Sequence, residues 1–119
     1  MNDSRHALVV TGGPYPGHVL AEMADDLPGA DVVVAADGGA RSARLLGLTV
    51  DILINNAGVG TIGPVVDSTP EAEVAQVRVN VEALIDLTTR AVQQMVPRGR
   101  GAILNVGSTA GFQPFPGQS

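Results

Sequence analysis

Four short apolar runs punctuate the chain, Ala7–Thr11, Asp31–Ala36, Asp51–Ile54 and Ala102–Val106, and none alternates polar with apolar. A strand with one wet face alternates; unbroken runs of valine, leucine and isoleucine predict strands covered on both faces, as in a parallel sheet between helices. Between these runs the pattern turns helical. Residues 17–27 make a first segment, stopped by Pro28-Gly29, and residues 39–46 a second, closed by Gly47. The third predicted helix is much longer, from Pro70 to Val96. Ser68 and Thr69 are its cap candidates, Glu71 stands at capping-box spacing from Ser68, and Pro97 and Gly99 end it.

That long helix carries two ridges. Val74, Val77, Val81, Leu84, Thr88, Val92 and Met95 recur at steps of three and four, a stripe suited to lying on a sheet. Ala75, Val79, Ala83, Leu87 and Ala91 recur at steps of four. This second ridge either packs within the domain or meets a partner helix in a homodimer; the edge of the fourth strand is another candidate dimer surface.

Strand–helix alternation implies right-handed crossovers and an α/β fold. The expectation is one Rossmann-like domain over 1–119, with a mostly parallel four-stranded sheet in the order 2-1-3-4 and helices on both faces. Such an order opens a crevice between strands 1 and 3 at their carboxyl ends, where sheets of this kind bind ligands. The glycine-rich loops at 12–17, 37–39, 55–60 and 107–111 would surround that crevice.

Composition narrows the chemistry. The 119 residues contain no cysteine, so disulfides, thiol chemistry and cysteine-ligated metals are excluded. That absence, with no signal peptide legible in Met1–His6, sets a cytoplasmic expectation. A net charge of −5 and only Tyr15, Phe112 and Phe115 as aromatics exclude a nucleic-acid binder. No apolar stretch approaches the ~20 residues that span a bilayer, so no membrane partner is expected. All 7 basic residues are arginines. Without lysine, any mechanism that needs a side-chain amine is closed to this chain by itself. His6 and His18 have no second histidine or carboxylate at ligating spacing, and no metal site is predicted.

The first glycine loop reads Thr11-Gly12-Gly13-Pro14-Tyr15-Pro16-Gly17-His18. Gly12, Gly13 and Gly17 would let a phosphate approach the backbone before a helix. Pro14 and Pro16 remove two donors from the same loop, and a plain glycine-proline turn accounts for it equally. Asp37 ends the second strand 20 residues after Gly17. It is placed either to accept hydrogen bonds from an adenosine ribose, favouring NAD over its phosphorylated form, or to build a turn with Gly38-Gly39. In the second half, Asn55-Asn56-Ala57-Gly58 follows a buried strand. Asn80 interrupts an apolar stretch of the long helix, where a polar side chain must find partners. Gly107-Ser108-Thr109-Ala110-Gly111 then sets a hydroxyl at the end of the fourth strand.

Together these motifs resemble the short-chain dehydrogenase/reductase family over about residues 51–119. Asn55–Gly58 matches its Asn-Asn-Ala-Gly motif, Asn80 its helix asparagine, and Ser108 its catalytic serine. The resemblance implies NAD or NADP as cofactor, bound by Gly12, Gly13, Gly17, Asp37, Asn56, Ala57 and Gly58. It also implies catalytic roles for Ser108, which would hold the substrate oxygen, and for Asn80, which would support a proton relay. The family's acid/base is the tyrosine of a Tyr-x-x-x-Lys motif, its phenol acidified by the lysine. Neither residue follows Ser108 here, so a cofactor-binding module inactive by itself is expected. Residues 7–52 instead resemble the amino-terminal part of thiamine pyrophosphokinase, through Val9–Gly13, Ala35–Ala40 and Leu46–Asp51. That resemblance implies a hybrid of segments 1–52 and 53–119, and as one alternative a residual nucleotide-binding half-site. Another alternative is a structural domain that self-associates and binds no ligand.

Overall fold

The computed structural model describes residues 5–113 and 116–117. The strands form where the apolar runs predict them: β1 (Ala7–Thr11), β2 (Val32–Ala36), β3 (Ile52–Asn55) and β4 (Ala102–Asn105). All three neighbouring pairs are parallel. The α/β, Rossmann-like fold class holds. The strand order does not: the sheet runs β1-β2-β3-β4, where 2-1-3-4 was expected. β2 lies between β1 and β3, so the crevice expected between the first and third strands is filled by a strand.

The order also decides where the helices go. Every crossover steps the same way along the sheet, and right-handed crossovers that all step one way stack their helices on one face. Helix α2 (Gly39–Leu45) buries Ala43 against Val10, Val33 and Ala35. Helix α4 (Ala83–Arg98) reaches the same side, where Thr88 accepts a hydrogen bond from Asn55. Register and alternation place Val10, Ala35, Leu53 and Ile103 in one row under these helices. The opposite face carries the rows Val9–Val34–Ile52–Ala102 and Thr11–Ala36–Ile54–Leu104. Among the described residues no helix packs on that face, contrary to the expected two-sided cover.

Short helices complete the first half. α1 (Gly17–Met23) passes into a 3₁₀ turn at Ala24–Asp26, so residues 17–27 are helical only in part. Gly39 opens α2 hard against β1: a Cβ there would sit 2.0 Å from the Val10 carbonyl oxygen, a position only glycine can fill.

The long helix is interrupted. α3 (Pro70–Val77) is capped by the Thr69 hydroxyl, which accepts from the Ala72 N–H at 3.2 Å, with Pro70 in the first turn. Ser68, the other cap candidate, bonds Glu73 instead. A five-residue π-turn, Arg78–Glu82, then joins α3 to α4. The extra residue in a π-turn advances the phase of everything beyond it. Leu84, Thr88 and Met95 are buried or half-buried, while Val74, Val77 and Val81 before the turn, and Val92 beyond it, are exposed. The first of the two expected ridges is split by the turn. Gly99, in the left-handed region at φ 64°, ends α4 at Arg98, two residues beyond the expected Val96, and Pro97, expected to end the helix, lies inside it.

One ionic cluster holds the halves together. The Asp51 carboxylate accepts from the Val33 N–H at 3.2 Å. It also lies 3.5 Å from Arg98 and 3.2 Å from Arg100, and Arg98 donates to the Val50 carbonyl at 2.8 Å.

Candidate functional site

A cavity of about 630 Å³ opens at the carboxyl ends of β3 and β4, beneath α3 and the start of α4. Its walls come from the loop after β3, residues 55–61, from the inner side of the long helix, and from the loop after β4 at Val106–Ser108. Polar bonds within it are aimed at holding loops. Asp37 has φ 50°, unusual for a residue with a side chain. That backbone turn carries its carboxylate to the next loop, where one oxygen accepts from Asn56 N at 2.5 Å and Ala57 N at 2.6 Å. Asn80, inside the π-turn, clamps the same loop from the other side. Its amide oxygen accepts from Val59 N at 2.9 Å and its NH2 donates to Val59 O at 2.8 Å. Gln76 extends the clamp, accepting from Thr61 N at 3.1 Å and donating to the Thr61 hydroxyl at 2.9 Å.

The cavity floor is Asn55, only 5% exposed. Its NH2 donates to Asn105 at 2.8 Å and to Thr88 at 3.1 Å, but its side-chain oxygen has no partner. A buried acceptor without a donor costs roughly 1–3 kcal/mol, which a ligand or water donor at this spot would relieve. Ser108 stands across the opening. Its oxygen accepts from Ala110 N at 3.1 Å, which leaves the hydroxyl hydrogen free to donate to a bound oxygen.

Of the candidate residues read from the sequence, Asp37, Asn56, Ala57, Gly58, Asn80 and Ser108 meet at this cavity. Gly12, Gly13 and Gly17 do not line it. The Gly12 loop abuts Gly38 at the end of β2, a Cβ on Gly12 meeting Gly38 Cα at 3.0 Å. Tyr15, 65% exposed, covers Gly13. The edge position of β1 is the cause. A nicotinamide dinucleotide is therefore matched unevenly: the β3–β4 side offers an orphan acceptor, a hydroxyl and small residues, while the 12–17 loop forms no phosphate cradle at this cavity.

Gln76 completes the site without having been singled out in the sequence, and Asn55, read there only as the first residue of the Asn55–Gly58 motif, lines it as well. Gln76 did leave a signal, as a polar residue one turn before Asn80 on the inner side of the helix. A second cleft, about 270 Å³, lies between α2 and α4 over Leu53, edged by Arg41, Arg44 and Arg90. Among the described residues no group of histidine, cysteine or acidic side chains is placed to hold a metal, and no helix is long and apolar enough to cross a membrane.

Residues 18–119 match the short chain dehydrogenase family. The chain is 40% identical over 68 residues to dehydrogenase/reductase SDR family member 4 of Sus scrofa, an overlap of 56% of this chain and 24% of that protein. It is 30% identical over 102 residues to carbonyl reductase (NADPH) 2 of Sus scrofa, covering 82% of this chain and 42% of that one. The chain thus spans well under half the length of these relatives. Among solved structures it superposes on a short chain dehydrogenase/reductase family protein with a TM-score of 0.59 at 26% identity, over 98% of this chain and 61% of the other. A 4-hydroxyisoleucine dehydrogenase complexed with NADH and succinate shares the fold, with a TM-score of 0.64 at 19% identity, over 93% of this chain and 60% of that one. The family match runs without a break through residue 52, and the thiamine pyrophosphokinase resemblance of residues 7–52 gains no support from these comparisons. By the extent of that match, this chain belongs to the short-chain dehydrogenase family.

Proposed function

We propose that the chain is the cofactor-binding part of a short-chain dehydrogenase/reductase, binding NAD or NADP weakly at the β3–β4 cavity and not turning over substrate by itself. The observation that carries this is the meeting of Asp37, Asn56–Gly58, Asn80 and Ser108 around one opening. Bound there, a nicotinamide would supply or accept a hydride, and the chain's own residues would hold and orient it. Asn80 is a positioning residue, since its amide is spent on the Val59 backbone and acts on the cofactor only through the 56–61 loop. Asp37 acts in the same way through Asn56 and Ala57, and its uncommitted oxygen disfavours a 2′-phosphate nearby, which supports NAD. Ser108 would donate its hydroxyl to a substrate oxygen.

Inactivity rests on composition. Proton transfer in this family needs a phenol and an amine; the chain has no lysine, and its single tyrosine, Tyr15, is not among the residues lining the cavity. Titrating NADH and NADPH by cofactor fluorescence tests the reading. Saturable binding in the millimolar range, weakened by Asn80→Ala, is expected, and no saturation at millimolar cofactor would reject it. Reduction of a ketone by the purified chain, lost in Ser108→Ala, would contradict the inactive assignment. A cytoplasmic location remains part of this proposal. So does self-association through the long helix or the β4 edge.

A further inference from the structure

The cleft between α2 and α4 combines two chemistries. Its floor is apolar: Leu48, Val50, Leu53, Leu87 and Ala91 line it, and Leu53 is only 1% exposed. Leu87 and Ala91 are the last two members of the small-residue ridge read from the sequence. Its rim is charged. Arg41 and Arg44 reach it from α2, Asp86 and Arg90 from α4. Arg90 is spent on its neighbour: its Nε donates to both Asp86 oxygens at 2.8 Å, and that bond holds the Asp86 carboxyl below the usual carboxylate range. Arg41 and Arg44 differ. Neither side chain makes a hydrogen bond or ion pair with a described residue. Three arginines and one aspartate leave two net positive charges around the cleft, in a chain whose net charge is −5.

We propose that this cleft binds a small aliphatic carboxylate, its tail on the apolar floor and its head between Arg41 and Arg44. Charge is the first argument. The two arginines stand three residues apart on one side of α2, and like charges at that spacing repel. An anion held between them relieves the repulsion, and the guanidinium fork matches a carboxylate with paired N–H donors. The floor is the second argument. A sugar phosphate would press polar atoms onto leucine and valine carbons, an unfavourable match, whereas a hydrocarbon tail removes apolar surface from water. Size is the third. The cleft measures about 270 Å³, just below the ~300 Å³ at which small-molecule pockets commonly begin. At about 30 Å³ per water-sized group it has room for roughly nine heavy atoms, as in a carboxylate of about eight carbons. Among the described residues it shares only Leu87 with the cofactor cavity, and it does not rest on the cofactor reading.

Octanoate titrated into the ¹⁵N-labelled chain, followed by amide chemical shifts, tests the site. Saturable movement of the Arg41–Arg44, Leu48 and Ala91 amides at millimolar octanoate is expected, with the Asn56–Thr61 amides still. Octanol supplies the tail without the charge, and acetate the charge without the tail. Each should bind at least about tenfold more weakly than octanoate. Arg41→Gln with Arg44→Gln alters two exposed positions and leaves the apolar floor in place. With the circular dichroism spectrum retained, this pair should weaken octanoate binding about tenfold and leave octanol binding unchanged. No saturation at millimolar octanoate, shifts centred on the 56–61 loop, equal affinity for octanol or acetate, or full octanoate affinity in the double variant would each overturn the proposal.

Discussion

The two halves of the sheet carry different kinds of order. In the β1–β2 half, stability comes from close packing: Val10, Val33, Ala35 and Ala43 form a small buried cluster, and Gly39 lets the α2 backbone touch the β1 carbonyl. In the β3–β4 half the conspicuous interactions are polar and specific. Asn55, Gln76 and Asn80 each hold a defined partner, and the long helix breaks into a π-turn at Asn80. The lesson is a division of labour. The first half supplies a platform and, through Asp37, one strut; the second holds the loops in the shape that makes a cavity. Loop glycines alone did not mark the site. Side-chain amides that clamp backbone did.

The contrast can be broken first at the platform. Gly39→Ala forces a Cβ into the Val10 carbonyl and should cost about 3 kcal/mol, read as a lower urea midpoint. If the loss is small, α2 is not packed as tightly as the packing account requires. Next comes the joint between the halves. Asp51→Ala removes the partner of Arg98 and Arg100 and an acceptor of Val33 N–H, and about 2 kcal/mol should be lost in the same measurement.

Effects in the site half are smaller on stability and larger on binding. Asn80→Ala gives up two hydrogen bonds to Val59, a loss of roughly 1–2 kcal/mol. Cofactor binding should weaken more than the urea midpoint falls. Equal effects on both would make Asn80 a fold residue like any other. Thr69→Ala, which removes a helix cap remote from the sheet core, should cost about 1 kcal/mol and leave cofactor binding unchanged.

The halves also differed in how far the sequence disclosed them. Strand positions were legible to within a residue or two, because unalternated runs of Val, Leu and Ile have few other uses. Motif residues of the second half were legible as well, since asparagines beside an apolar strand and inside an apolar helix need partners. Strand order was not. Crossover handedness limits how β3 joins the sheet, but whether it pairs with β1 or β2 depends on long-range fit that no local pattern records. The wrong order carried two errors with it: the crevice at Gly12–Gly17 and the two-sided helix cover. The π-turn was hidden for a related reason. Val74, Val77 and Val81 continue the 3/4 spacing of Leu84 and Thr88, and the extra residue of the π-turn, invisible in the spacing, shifts their phase relative to the residues beyond it. Asp37 was found, but the sequence did not show that one of its oxygens holds the neighbouring loop through Asn56 and Ala57.

The central claim is that the cofactor site belongs to the β3–β4 half. Amide chemical shifts of the ¹⁵N-labelled chain during titration with NAD test it residue by residue. The account predicts saturable movement of the Asn56–Thr61 and Gly107–Ser108 amides, with Gly12, Gly13 and Gly17 still. Shifts centred on the Gly12–Gly17 loop, or none anywhere at millimolar NAD, would contradict it.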